Sequence, residues 1–85
     1  MKADLIPIKL PYPVEGTETA GYIVNYDEIK GYSLHIKYNQ DVVVVPYKRD
    51  YEDLLKELNH LLEMQKSGIQ LWLNRMTQKI TTDKI

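Results

Sequence analysis

Eighty-five residues without a cysteine bound the protein to a small core with neither disulfide nor thiolate metal site, so its stability has to come from packing or oligomerisation. Eleven basic against twelve acidic side chains give a net charge of −1, which excludes a strong field for drawing in nucleic acid or for mimicking it. The first residues lack the basic start and apolar core of a signal peptide, and no apolar run approaches the roughly 20 residues of a membrane span, so the expectation is one soluble, cytoplasmic domain over residues 1–85.

Residues 1–20 read as an extended arm or edge strand followed by a loop. Leu5, Ile6, Ile8 and Leu10 alternate loosely around Pro7, and proline fits an edge strand better than a central one. Pro11-Tyr12-Pro13 breaks regular structure, and residues 14–20 form a polar connection containing a glycine.

An antiparallel β-meander is expected over residues 21–47. Its first strand runs from Gly21 to Tyr26, and Asp27–Gly31 is a turn with Gly31 available for positive φ. The second strand, Tyr32–Tyr38, alternates cleanly: Tyr32, Leu34, Ile36 and Tyr38 on one face, Ser33, His35 and Lys37 on the other. Asn39–Asp41 is a three-residue hairpin loop, and the third strand, Val42–Val45, ends at Pro46. Pairing Tyr26 with Tyr32 sets Val24 opposite Leu34 and Tyr22 opposite Ile36. The second hairpin sets Tyr38 opposite Val42 and Ile36 opposite Val44, and both hairpins agree on the apolar face. Val43 and Val45 then lie on the outer face beside Ile23, which calls for cover on both sides or for a partner.

Residues 50–80 carry helical spacing. Tyr51, Leu54, Leu55, Leu58, Leu61 and Leu62 are followed by Ile69, Trp72, Leu73, Met76 and Ile80, and the seam Leu58, Leu62, Gln65, Ile69, Trp72, Met76 steps by four and three. Asp50 is the candidate N-cap, with acids early and Lys66, Arg75 and Lys79 late. Gly68 is the weak point, where one long helix bends or two meet; the unbroken seam favours one helix, with Thr81–Ile85 fraying. The expected fold is therefore α+β: a three-stranded meander, with the N-terminal segment as a candidate fourth strand, packed against one long C-terminal helix.

Chemistry is sparse. His35 has Ser33 and Lys37 as same-face neighbours and no carboxylate at strand spacing, the pattern of a solvated histidine. His60 has Glu57 and Glu63 one turn either side, a spacing that holds a metal ion on some bundle helices but also describes an ordinary polar face. None of the nucleophile-elbow, P-loop, dinucleotide or zinc-protease patterns occurs. The reading is a protein that is no enzyme and needs no cofactor or metal.

The second half of the expected helix lies beyond the reach of a small sheet. That leaves Ile69, Trp72, Leu73, Arg75 and Met76 as candidate partner-binding residues, with Trp72 as the anchor. Ordinary core packing of Trp72 on Leu5–Leu10 is the competing expectation. The function expected is a small protein–protein interaction module, such as an inhibitor, antitoxin-like regulator, immunity protein or small assembly subunit. Its partner is another protein or a second copy forming a homodimer. The alternative is a single-stranded nucleic-acid-binding protein that stacks bases on sheet tyrosines beside Lys30, Lys37, Lys48 and Arg49. Against it, Tyr22, Tyr26, Tyr32 and Tyr38 fall on the core face.

Overall fold

The structure, a computed structural model, describes residues 4–13, 19–37 and 39–82, with backbone alone for residues 39–41. It is an α+β fold of two antiparallel three-stranded sheets and one helix. In chain order these are β1 (Leu5–Ile8), β2 (Tyr22–Asp27), β3 (Gly31–Ile36), β4 (Asn39–Lys48), α1 (Tyr51–Lys66), β5 (Leu71–Asn74) and β6 (Lys79–Thr81). The meander sheet has the order β2-β3-β4, and the second sheet has the order β1-β5-β6.

Alternation sets the first hairpin as expected: Tyr22 lies opposite Ile36, Val24 opposite Leu34 and Tyr26 opposite Tyr32. Asp27 shapes the turn, its Oδ1 accepting from the N–H groups of Ile29 and Lys30 at 2.8 and 2.9 Å. Gly31 then returns the chain at φ +101°, and a Cβ there would run into the Lys48 carbonyl of β4.

Between β3 and β4 the expected register does not hold. Ile36 pairs with Asn39, His35 with Val43, Leu34 with Val45 and Tyr32 with Lys48, with a shift at each step. Ile36 therefore does not face Val44, and the expected three-residue loop is absorbed into β4; the expected Tyr38–Val42 pair involves a residue outside those described. Val44 is the extra residue between the pairs at Val43 and Val45. This bulge turns Val44 and Val45 both inward, and Val45, expected outside, has 0% of its surface exposed. Pro46 has no N–H to donate and sits at another of the shifts, where its loss disrupts no regular ladder. The outer face is not open throughout either: Ser33 is buried, its Oγ 3.3 Å from His35 Nε2.

Helix α1 starts where expected, with the Asp50 carbonyl accepting from Asp53 and Leu54, although the Asp50 side chain makes no capping bond. Leu54, Leu58, Leu61 and Leu62 are its buried stripe, packed with Leu34, Ile36 and the valines of β4. The helix does not continue to Ile80. At Lys66 it stops: the Gly68 N–H donates to the Gln65 carbonyl and the Ile69 N–H to the Met64 carbonyl, both at 3.0 Å, with Gly68 at φ +91°. That pair of bonds around a left-handed glycine closes a helix end, and nothing of the seam beyond it is helical.

Past Gly68 the chain forms a hairpin. Leu71 and Leu73 point into the core, while Trp72 and Asn74 lie half-buried on the other side. Asn74 Oδ1 accepts from the N–H groups of Met76 and Thr77 at 2.9 and 3.2 Å, and Gln78 adopts φ +56° to bring the chain back into β6. Thr81, expected to fray, is the last residue of that strand; residues 83–85 are outside those described. The arm becomes β1 and pairs within its own chain, with Leu5 opposite Asn74, Pro7 opposite Trp72 and Ile8 opposite Leu71. Its partner is thus β5 and not the valine strand, which instead adjoins β6.

Candidate interaction surface

The five residues singled out on the sequence do not form one helix face. Ile69 lies in the loop after α1 and is 44% exposed; Trp72 and Leu73 alternate on β5; Arg75 and Met76 occupy the turn into β6. Leu73 is corrected to the core, at 5% exposure, because strand alternation turns it to the same side as Leu71. Met76 is 78% exposed at the hairpin tip. The Arg75 N–H donates to the Asp4 carbonyl at 2.8 Å, which fixes the tip against the start of β1.

Trp72 is half-buried on the side away from Leu71 and Leu73, across from Pro7. Pro7, exposed on β1, extends that side, whereas Ile6 lies opposite Leu73 on the other; Ile69 and Met76 stand exposed in the segments just before and just after β5. Beside it, a cleft of about 490 Å³ opens between one flank of α1 and the second sheet. Leu5, Leu61, Met64 and Ile80 supply its apolar lining, and Glu57, His60, Asn74, Thr81 and Thr82 its polar lining. An apolar side chain with a hydrogen-bonding neighbour fits that chemistry.

Sequence reasoning missed Gln65. Its amide clamps the backbone of Leu10 at both ends: Oε1 accepts from the Leu10 N–H at 2.7 Å, and Nε2 donates to the Leu10 carbonyl at 2.8 Å. Leu10 is buried, so the clamp replaces the strand partner that its peptide groups lack at the end of β1. A polar residue inside an apolar seam was the available signal, but its partner stands 55 positions away.

Among the described residues no three of His, Cys, Asp and Glu converge as metal ligands; His60 and Glu57 line the cleft. The Lys30 and Ile29 backbone N–H groups, with a smaller contribution from the Lys30 charge, hold the Asp27 carboxyl below the usual carboxylate range. No helix among the described residues is long and apolar enough to cross a membrane.

Tyrosines gather at the opposite end of the molecule's meander. Tyr26 and Tyr32 pack at 4.9 Å between ring centroids, and Tyr32 meets Tyr51 edge-on at 5.9 Å. Tyr26 shares the core-facing side yet is 63% exposed, because β2 is the edge strand and α1 packs across β4 and β3. Tyr47 is also exposed, with Lys30 Nζ 5.5 Å from its ring centroid. Comparison with known protein families, curated proteins and solved structures finds no match to this chain.

Proposed function

We propose that this protein is a small non-catalytic protein–protein interaction module that docks through the outer side of the β1–β5 pair. The observation that carries this reading is the exposure of Ile69 and Met76 at the two ends of β5, the strand whose outer side holds the Pro7–Trp72 cross-strand pair. Exposed apolar surface on a small protein supports a docking reading, and aromatic residues with arginine are common anchors in such sites. Inhibitors, antitoxin-like regulators, immunity proteins and small assembly subunits act in this way, by occupying a partner's surface.

The test is a pull-down from the cells that make the protein, comparing wild type with Ile69→Asp/Met76→Asp. Both positions are exposed, so the double variant is expected to melt within about 0.5 kcal/mol of wild type. A partner that rebinds as purified protein, and binds the double variant at least about tenfold more weakly, supports the reading. A partner indifferent to both substitutions refutes it.

Single-strand nucleic-acid binding is a second reading, favoured by the exposed rings of Tyr26 and Tyr47 beside Lys30, Lys48 and Arg49. Asp27, Glu28, Asp50, Glu52 and Asp53 stand in the same turns and helix start, so the phosphates would meet more acids than bases. A titration with a labelled oligothymidylate separates the two: salt-sensitive binding lost in Tyr26→Ala supports stacking, and none is expected.

A further inference from the structure

An open strand edge is a template for another strand, and proteins usually blunt such edges with proline, lysine, bulges or brevity. Three of the four sheet edges here are blunted in these ways. β1 has four residues and contains Pro7; β4 contains Pro46 and three register shifts and lies beside β6; β6 has three residues and begins with Lys79. β2 has none of these devices. Its six residues, Tyr-Ile-Val-Asn-Tyr-Asp, include neither proline nor lysine and pair with β3 without a single shift; the Tyr22 N–H turns to the Thr19 carbonyl, and no other strand among the described residues lies along Ile23–Asp27 on the far side.

We infer that β2 pairs antiparallel with β2 of a second copy, joining two meanders into one six-stranded sheet. A two-fold axis normal to the sheet keeps both core faces on the same side, so residues of like face must meet. Pro11 packs against Gly21 at the start of β2, and its carbonyl accepts the Tyr22 hydroxyl at 2.6 Å, which shifts the contact toward the far end of the strand. The axis then passes through Asn25. Val24 faces the partner's Tyr26, Ile23 faces the partner's Asp27, and Asn25 faces its own counterpart.

This register is self-complementary. It sets an aromatic ring beside a β-branched side chain on the core side, covering the exposed Tyr26, and it brings no like charges opposite each other. A net charge of −1 adds little repulsion between copies. The contact is separate from the Ile69–Met76 surface, so either can fail alone.

Asn25 is exposed and self-paired, which makes it the point of test. Light scattering on the full chain over a concentration series is expected to show a monomer–dimer equilibrium. Asn25→Lys and Asn25→Asp should each raise its dissociation constant about fivefold or more, by setting like charges opposite each other, and a mixture of the two variants should restore the dimer. Hydrogen exchange of the wild type should show β2 amides gaining protection with concentration. A monomer at every concentration would overturn the inference and leave the edge to a foreign strand. A dimer indifferent to both variants, or β2 amides indifferent to concentration, would overturn it too.

Discussion

The β2–β3 and β5–β6 hairpins turn on the same chemistry. Asp27 Oδ1 accepts from two backbone N–H groups of its turn, and Asn74 Oδ1 does the same in the other. Their surroundings differ. The meander draws all three strands from adjacent sequence, whereas β5 must recruit β1 from the far end of the described chain. Closing so large a loop costs chain entropy before any contact offsets it. The second sheet is accordingly anchored by longer-range devices: the Gln65 clamp on Leu10, the Asp4–Arg75 backbone bond, and the burial of Leu71 and Leu73.

The largest effect is expected inside the meander. Gly31→Ala meets the Lys48 carbonyl at a positive φ, and overpacking with backbone strain should cost about 4 kcal/mol, read as a lowered denaturant midpoint. Gln65→Ala should cost about 2–3 kcal/mol by leaving both peptide groups of buried Leu10 without a partner. Exchange should then speed up in β1 and β5 more than in β2 and β3. Equal loss in both sheets would break the contrast and make them one cooperative unit.

Smaller substitutions sharpen the same contrast. Gly68→Ala meets no atom within 4 Å, so its cost is conformational, about 1 kcal/mol; a gain in stability would restore the continuous helix. The smallest effect is that of pH on Asp27. Its folded pKa lies below its unfolded one, so its contribution is complete above the unfolded value and is lost as pH falls through the folded one. Asp27→Asn should therefore flatten part of the melting curve's dependence below about pH 4, the ordinary carboxylate region.

The meander was legible because period-two alternation from Tyr22 to Ile36 has no helical counterpart, and the β2–β3 register followed from it. The valine strand was legible as a strand but not in register, since four consecutive valines carry no alternation to mark a bulge at Val44. The second hairpin was hidden by coincidence. Ile69, Trp72, Leu73, Met76 and Ile80 fall at helical spacing, while the alternation Leu71-Trp72-Leu73 that betrays a strand is three residues long. Gly68, read as the point where one long helix bends or two helices meet, was the stop signal. Of the candidate partner-binding set, Leu73 went to the core for that reason, and Pro7 could join it only once β1 was known to pair with β5.

The pairing of Leu5 with Asn74 also sets an order of events at the ribosome. The two residues lie roughly 70 positions apart, and at about 5–20 residues per second the arm waits some 4–14 seconds after synthesis before its partner strand exists. During that interval the meander can close on its own, and the nascent arm displays Leu5, Ile6, Ile8 and Leu10 to whatever attends the exit tunnel.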